Sequence, residues 1–404
     1  MTRSRVLIVG GGPSGLATAL FLQVAAPELT GRIVVLEKEK YPREKFCAGA
    51  VGARAEAALR AIGVTVDVPS VAIDALAVRA QGRTRTVESR AAGRVVRRIE
   101  FDHALARVAI ERGIDLRDGV RATGLALRPD GVTVETSAGP IDADVLVGAD
   151  GVSGFVRKAL GIPKASYRAQ AVEVDTEPVA SDLPRSTILF DLGDESYPGY
   201  YWDFPTVVNG ENLVCRGVYY LKTFAERPTE IDDILTRELE VRGLDPSRYK
   251  RKRYAEQGFS RGVPVSAHRV LLVGEAAGID PVTGEGIAQA ILYGAAAGPY
   301  LARKLRAANV NFSDFPGALA SASIGRDLLV RSACLPLAYG RYRSAIEKYL
   351  LETPEFLEVG LAHFAGRPFP RRALGRAAIR AAAATAKGLL APDGLSRGRE
   401  PRLR

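Results

Sequence analysis

Six residues near the amino terminus, Gly10-Gly11-Gly12-Pro13-Ser14-Gly15, form a G-x-G-x-x-G between the apolar run Val6-Leu7-Ile8-Val9 and a helical pattern. Each glycine has a separate task in such a turn. Gly10 permits the tight bend, Gly12 lets a pyrophosphate approach the backbone, and Gly15 lets helix and strand pack closely. Free N–H groups at the helix start, around Ser14, and the positive end of the helix dipole attract phosphate. Glu37 closes a second apolar run about 20 residues further on, where an acid hydrogen-bonds ribose hydroxyls. The glycine pattern alone is weak, but its place between strand and helix with that acid makes dinucleotide binding the expected chemistry.

Two more glycine-acid turns follow apolar runs. One is Gly148-Ala149-Asp150-Gly151. The other is Leu271-Leu272-Val273-Gly274-Glu275-Ala276-Ala277-Gly278, continuing through Asp280 to Gly284-Glu285-Gly286-Ile287. A strand ending this way can place a carboxylate, Asp150 or Glu275, on a sugar hydroxyl. The turn that opens a helix at Gly286 and Ile287 offers N–H groups to negative charge, such as that near N1 and C2=O of a reduced flavin.

The three motifs, in this order, resemble those of flavoproteins with the para-hydroxybenzoate hydroxylase fold, and the likeness covers most of the first 305 residues. Within that superfamily the chain is most similar to the geranylgeranyl reductases. The likeness rests on Lys45-Phe46-Cys47-Ala48-Gly49-Ala50-Val51, on Arg98-Ile99-Glu100-Phe101-Asp102, and on Pro198-Gly199-Tyr200-Tyr201-Trp202-Asp203-Phe204-Pro205, which is similar to that family's Y-x-W-x-F-P stretch. It implies FAD as cofactor and reduction of isolated carbon–carbon double bonds in isoprenoid chains. It also implies that Ser14, Glu37, Cys47, Ala48, Gly49, Arg98, Ala122, Glu275, Gly286 and Ile287 surround FAD, with Arg98 neutralising pyrophosphate and the Ala122 backbone meeting adenine. Tyr200, Trp202 and Phe204 would line the substrate cavity, although a core-packing aromatic stripe explains them almost as well.

An isolated alkene is not electrophilic, so hydride delivery has to be coupled to protonation of the other carbon in a site that excludes water. Cys47, Tyr201 and Trp202 are the expected catalytic residues, with Tyr200 and Asp203 as further candidate proton donors. His103, His268 and His363 show no triad partner in the sequence. A single dinucleotide fingerprint leaves the reductant open: NADPH binding transiently over the flavin, or another electron donor.

The chain departs from the family pattern in Glu275 for the usual Asp, a shorter loop to Pro281, Ala48 and Ala50 for glycines, and Gly52 for serine. These changes bear on the substrate more than on FAD. An FAD-dependent monooxygenase on the same scaffold is the alternative function. A halogenase needs a lysine in the first half of the chain, and none lies between Lys45 and Lys158. A non-enzymatic flavin-binding protein would leave the aromatic motif without a purpose.

Strands are expected at 4–9 and 32–36 around a helix at 14–26, which is half a Rossmann unit. Short inserted strands at 73–97, a helix at 101–112, and strands at 120–128, 131–136 and 144–147 follow. The Tyr-, Phe- and Pro-rich stretch 165–258 alternates as an antiparallel sheet does, and a buried strand near 269–273 precedes long helices. The expected fold is α/β. A Rossmann-type FAD-binding domain at 1–160, with inserted strands at about 67–93, resumes at 261–305 after an antiparallel-sheet substrate domain at 161–260. A helical carboxyl-terminal region with a basic tail spans 306–404.

At 404 residues, 47% hydrophobic and 25% charged, the chain reads as globular. Its three cysteines, Cys47, Cys215 and Cys334, lack ligand spacing, so neither a disulfide framework nor a metal site is expected. The net charge of +10 comes mostly from 361–404, where ten Lys and Arg face two acids. The rest is nearly neutral, which argues against nucleic acid. A basic helix carrying Arg371, Arg372, Arg376, Arg380 and Lys387 can lie on an anionic membrane surface, and a solvated terminal helix is the plainer reading. With no apolar run of about 20 residues and no signal segment, the expectation is a cytoplasmic protein with, at most, peripheral membrane contact. The oligomeric state is not legible.

Overall fold

The computed structural model describes residues 4–222 and 230–368, together with Gly375, Arg376 and Ile379. Of the basic tail, Arg371, Arg372, Arg380 and Lys387 therefore lie outside the described residues. Arg376 is paired with Glu355 at 3.4 Å.

The central strand Ser4–Val9 pairs in parallel with Ile33–Glu37 on one side and Ile141–Gly148 on the other. Asp115–Asp118 extends the sheet beyond Ile33–Glu37, and Val270–Leu272 extends it beyond Ile141–Gly148. Val6, Leu7 and Ile8 are wholly buried, as a strand covered on both faces must be. Helix Pro13–Ala25 connects the first two strands and packs along the 20-residue helix Ile287–Arg306. Gly294 and Gly298 make that approach possible, because a Cβ on either would lie 2.6 Å from the first helix, at Ala17 and Leu22. A hairpin, Ala122–Arg128 with Gly131–Thr136, runs antiparallel beside Ile141–Gly148.

The second sheet has eight strands in the order Lys252–Gln257, Arg168–Thr176, Glu211–Leu221, Gly199–Val208, Thr187–Asp191, Ser70–Ala80, Arg83–Val96 and Ala50–Gly52. One sequence expectation is corrected here. The inserted strands are 11 and 14 residues long rather than short, and they are hydrogen-bonded into this sheet. Within 161–260 the strand pairs are antiparallel as expected, and Thr187–Asp191 joins the inserted strands by running parallel to Ser70–Ala80. Alternation reports which face a side chain takes, but not which distant strand becomes its neighbour.

Helix Ile231–Val241 covers one face of this sheet through Ile231, Ile234, Leu235 and Leu239. Leu335 and Tyr339, from helix Ser323–Tyr339, cover the other. Helices Phe315–Ser321, Arg343–Glu352 and Pro354–Phe364 complete the carboxyl-terminal part. The architecture is thus the α/β one expected: a Rossmann-type domain, an inserted sheet and a helical carboxyl-terminal region. No helix among the described residues is long and apolar enough to cross a membrane.

Candidate functional site

A cleft of about 850 Å³ opens at the carboxyl ends of the parallel strands, where open α/β sheets bind ligands. Gly10, Gly12, Ser14, Glu37, Cys47, Arg98, Ala122, Asp150, Glu275, Gly286 and Ile287 all line it. Gly15, Ala48 and Gly49 do not. Gly15 serves the turn itself, since a Cβ there would lie 1.9 Å from the Gly10 carbonyl oxygen. Gly49 has φ +86° and lies against the Val96 carbonyl, and Ala48 packs on the aromatic side of the second sheet.

One end of the cleft is built for a diphosphate. Asp102, wholly buried in helix Arg98–Glu111, accepts two hydrogen bonds of 2.7 Å from Arg98. It also pairs with Arg43 at 3.1 Å. Although burial opposes its charge, this carboxylate pushes the Arg98 pKa further up. The two guanidiniums converge on the glycine turn. A Cβ on Gly12 would meet nothing nearer than Nη2 of Arg43 and Nη2 of Arg98, each at 3.9 Å. The space beside Gly12 is thus open, cationic and faced by a helix N-terminus, as a pyrophosphate requires.

Glu37 accepts from the amides of Gly11 and Glu39, both at 3.1 Å, and pairs with Arg43 Nε at 3.1 Å. Tyr41 donates its hydroxyl to the Gly11 carbonyl. Asp150 divides its carboxylate: Oδ2 accepts from the Val156 amide at 2.9 Å, while Oδ1 is buried without a partner. Burial raises its pKa. An unsatisfied buried acceptor lining a cleft is what a ligand hydroxyl would complete.

The opposite end is formed by the loop that precedes helix Ile287–Arg306. The N-terminus of helix Ile287–Arg306 begins at Gly286 with no side-chain cap, leaving its N–H groups to the cleft. The preceding loop is pinned by charge: Glu285 is held by Arg54 at 2.6 Å and by Arg331 at 3.0 Å. Arg331 also reaches Asp280 and Asp327.

Across from this loop the Cys47 amide donates to Glu173 Oε1 at 3.2 Å, and the Tyr254 hydroxyl donates to Glu173 Oε2 at 3.2 Å. Burial raises the Cys47 thiol against the pull of Arg98, so it remains protonated at neutral pH. Burial raises Glu173 to about 6, with Lys252 opposing. Burial and the charge of Glu275 raise Glu256 well above the carboxylate range. Glu275 itself is raised by burial, with Lys45 and Arg98 opposing.

The aromatic motif divides by strand alternation. Tyr200, Trp202 and Phe204 share one face of Gly199–Val208 and pack with Tyr219, Ile188 and Cys215. Tyr200 stacks on its cross-strand partner Tyr219 at 5.0 Å and donates to the Thr283 carbonyl at 2.5 Å. Trp202 lies over Gly217. These three form a packed apolar cluster beside the cleft rather than lining it, and Ala48 and Tyr254 join cluster to cleft.

Tyr201 and Asp203 face the other way, which corrects the expectation that they act at the site. The Tyr201 hydroxyl donates to Asp203 at 2.5 Å, its ring lies 4.3 Å from the Arg242 guanidinium, and it packs under helix Ile231–Val241. Trp202, also expected to be catalytic, is packed 2% exposed in the cluster and does not line the cleft.

Sequence reasoning missed Arg43, Glu173, Tyr254 and Glu256. Arg43 sits outside the glycine motifs, and the other three belong to strands of the second sheet that reach the cleft only through folding. The sole sequence signal was an acidic residue on an otherwise half-buried strand.

Residues 3–312 match the family described as the FAD binding domain. Digeranylgeranylglycerophospholipid reductase 1 of Methanococcoides burtonii is 29% identical over 324 residues, covering 74% of each chain. Digeranylgeranylglycerophospholipid reductase of Methanosarcina mazei is 30% identical over 237 residues, 54% of this chain and 55% of that protein. Among solved structures, a geranylgeranyl bacteriochlorophyll reductase-like protein from Thermoplasma acidophilum aligns with TM-score 0.67 and 19% identity, over 93% of this chain and 96% of that one. The flavin-dependent brominase Bmp2 aligns with TM-score 0.70 and 18% identity, over 96% and 100%. At such identities the structures show the shared fold alone. With its diphosphate cradle at the crest of a Rossmann sheet, the chain belongs to the FAD binding domain family and is an FAD-dependent oxidoreductase with geranylgeranyl reductase-like relatives.

Proposed function

We propose that the protein reduces carbon–carbon double bonds in a prenyl chain. The observation that carries this reading is the junction at Cys47 and Ala48, where a cleft with a diphosphate cradle abuts a dry aromatic cluster. A hydrocarbon chain suits such a wall, and two relatives named as reductases of a geranylgeranyl lipid support the substrate class.

In this reading Gly10, Gly12, Ser14, Arg43 and Arg98 hold the pyrophosphate of FAD. Glu37 meets a ribose, the Ala122 backbone meets adenine, Asp150 and Glu275 take sugar or ribityl hydroxyls, and the helix opening at Gly286 and Ile287 faces the ring. When bound and reduced, the cofactor supplies a hydride. The chain supplies the rest: Tyr200, Trp202 and Phe204 back the substrate end with apolar surface that disfavours water beside the reacting carbons. NADPH or another donor reloads the flavin, and a peripheral contact of the basic segment at 371–404 with an anionic membrane from the cytoplasmic side belongs to the same reading.

The half-reaction tests it. Anaerobic protein with photoreduced FAD, mixed with a geranylgeranyl lipid, is expected to return to the oxidised flavin spectrum. A flavin that stays reduced in the presence of the lipid would overturn the proposal, and an oxygenated lipid formed once oxygen is admitted would favour a monooxygenase.

A further inference from the structure

Alkene reduction needs an acid as well as a hydride, and the residues first expected to donate are poorly disposed. Tyr201 faces away from the cleft. Tyr200 has its hydroxyl committed to Thr283, and Tyr254 has its hydroxyl committed to Glu173. The Cys47 thiol starts at 9.0 and is raised further by burial, which makes it a weak acid.

Glu256 is placed differently. It lines the cleft from strand Lys252–Gln257, and its Oε2 is shielded from solvent without any hydrogen-bond partner. That oxygen lies 2.6 Å from where a Cβ on Gly284 would stand, and the Tyr219 ring lies 3.1 Å from the same point. The carboxyl group therefore points into the gap left by Gly284, where the cleft meets the aromatic cluster.

We propose that Glu256 is the general acid of the reaction, delivering its proton to the alkene carbon that does not receive the hydride. This rests on the reductase reading above. The Glu256 O–H bond breaks as the new C–H bond forms, and the two electrons that reduce the alkene come with the hydride of the reduced flavin. The carboxylate left behind recovers a proton from water entering beside Lys45. Burial and the acids that face it, Glu275, Asp280 and Glu173, push the Glu256 pKa well above the usual carboxylate range, with Lys45 as the opposing cation. An acid with no competing partner has its proton free for the substrate, which is the disposition a general acid needs.

The test uses Glu256→Gln and Glu256→Asp, each purified with FAD. The Gln variant is expected to keep its flavin content and photoreduction but to lose at least about 100-fold in the rate at which prenyl lipid reoxidises the flavin anaerobically. The Asp variant should recover part of that rate. Independently of cofactor, the infrared carboxylic-acid C=O band of the apoprotein at neutral pH should disappear in Glu256→Gln. A Gln variant that reoxidises at the wild-type rate, or no change in that band, overturns the assignment. If the wild type itself never passes electrons to the lipid, the reductase reading fails and takes this proposal with it. If the wild type does and the Gln variant does equally, the proposal alone fails.

Discussion

Arg43 and Arg98 share the buried carboxylate of Asp102 and point one Nη2 each at the same open space beside Gly12. Glu37 and Asp102 balance the two guanidinium charges and hold both forks in place, leaving their outward N–H groups free to donate. A diphosphate entering between them would gain charge-assisted hydrogen bonds from groups already held in position.

Arg43→Ala is therefore expected to weaken FAD binding by roughly 10- to 100-fold, in line with about 1.5–3 kcal/mol for a hydrogen bond to a charged group. Equilibrium titration of apoprotein with FAD checks this. Gly12→Ala should weaken binding as well while leaving apoprotein melting nearly unchanged, since the new methyl group meets no protein atom nearer than 3.9 Å.

Gly217 makes room for the indole of Trp202, whose Cζ2 would lie 2.2 Å from a Cβ at position 217. Gly217→Ala should destabilise the protein by about 1–3 kcal/mol, the usual effect of overpacking a full core. Urea denaturation measures it. An unchanged midpoint would mean that the indole can move aside.

Glu173 is raised from 4.5 to about 6, chiefly by burial. Its pKa is higher folded than unfolded, so its contribution to stability is complete below about pH 4 and is lost as pH rises through 6. The stability of Glu173→Gln relative to wild type should thus climb by about 2 kcal/mol between about pH 4 and about pH 7. Denaturant titrations at the two pH values read it directly.

Tyr201→Phe separates the two faces of the aromatic strand. It removes a hydroxyl bonded to Asp203 on the face away from the cleft, so a loss of about 1 kcal/mol in stability is expected, with flavin content and anaerobic flavin reoxidation unchanged. A large loss of reoxidation rate with stability intact would put Tyr201 back among the reacting groups.

The glycine turn and its acid were legible because they are local, whereas Arg43 and Asp102, which complete the cradle, were not. Strand, glycine turn, helix and Glu37 follow one another within 37 residues, and each residue type is fixed by a steric or electrostatic demand. The substrate half was less so. The amide of Cys47 finds Glu173 126 positions away, and Glu256 reaches the cleft only because Lys252–Gln257 is an edge strand of the second sheet. No local pattern records such pairings. Tyr201 is the opposite case: alternation along a strand already separates it from Tyr200 and Trp202, and the motif's likeness to a family outweighed that simple geometry.

The central claim is that electrons from the flavin end on a prenyl carbon–carbon double bond. The most direct measurement is the mass of the lipid product after anaerobic turnover of the purified FAD-loaded protein in deuterated water. The expected product is free of added oxygen and has gained one hydrogen and one deuterium across a former double bond, when the flavin is reduced by a protiated donor and its hydride does not exchange before transfer. Exchange would replace that hydrogen with a second deuterium. An unchanged lipid, or one that gains oxygen once air is admitted, would contradict it.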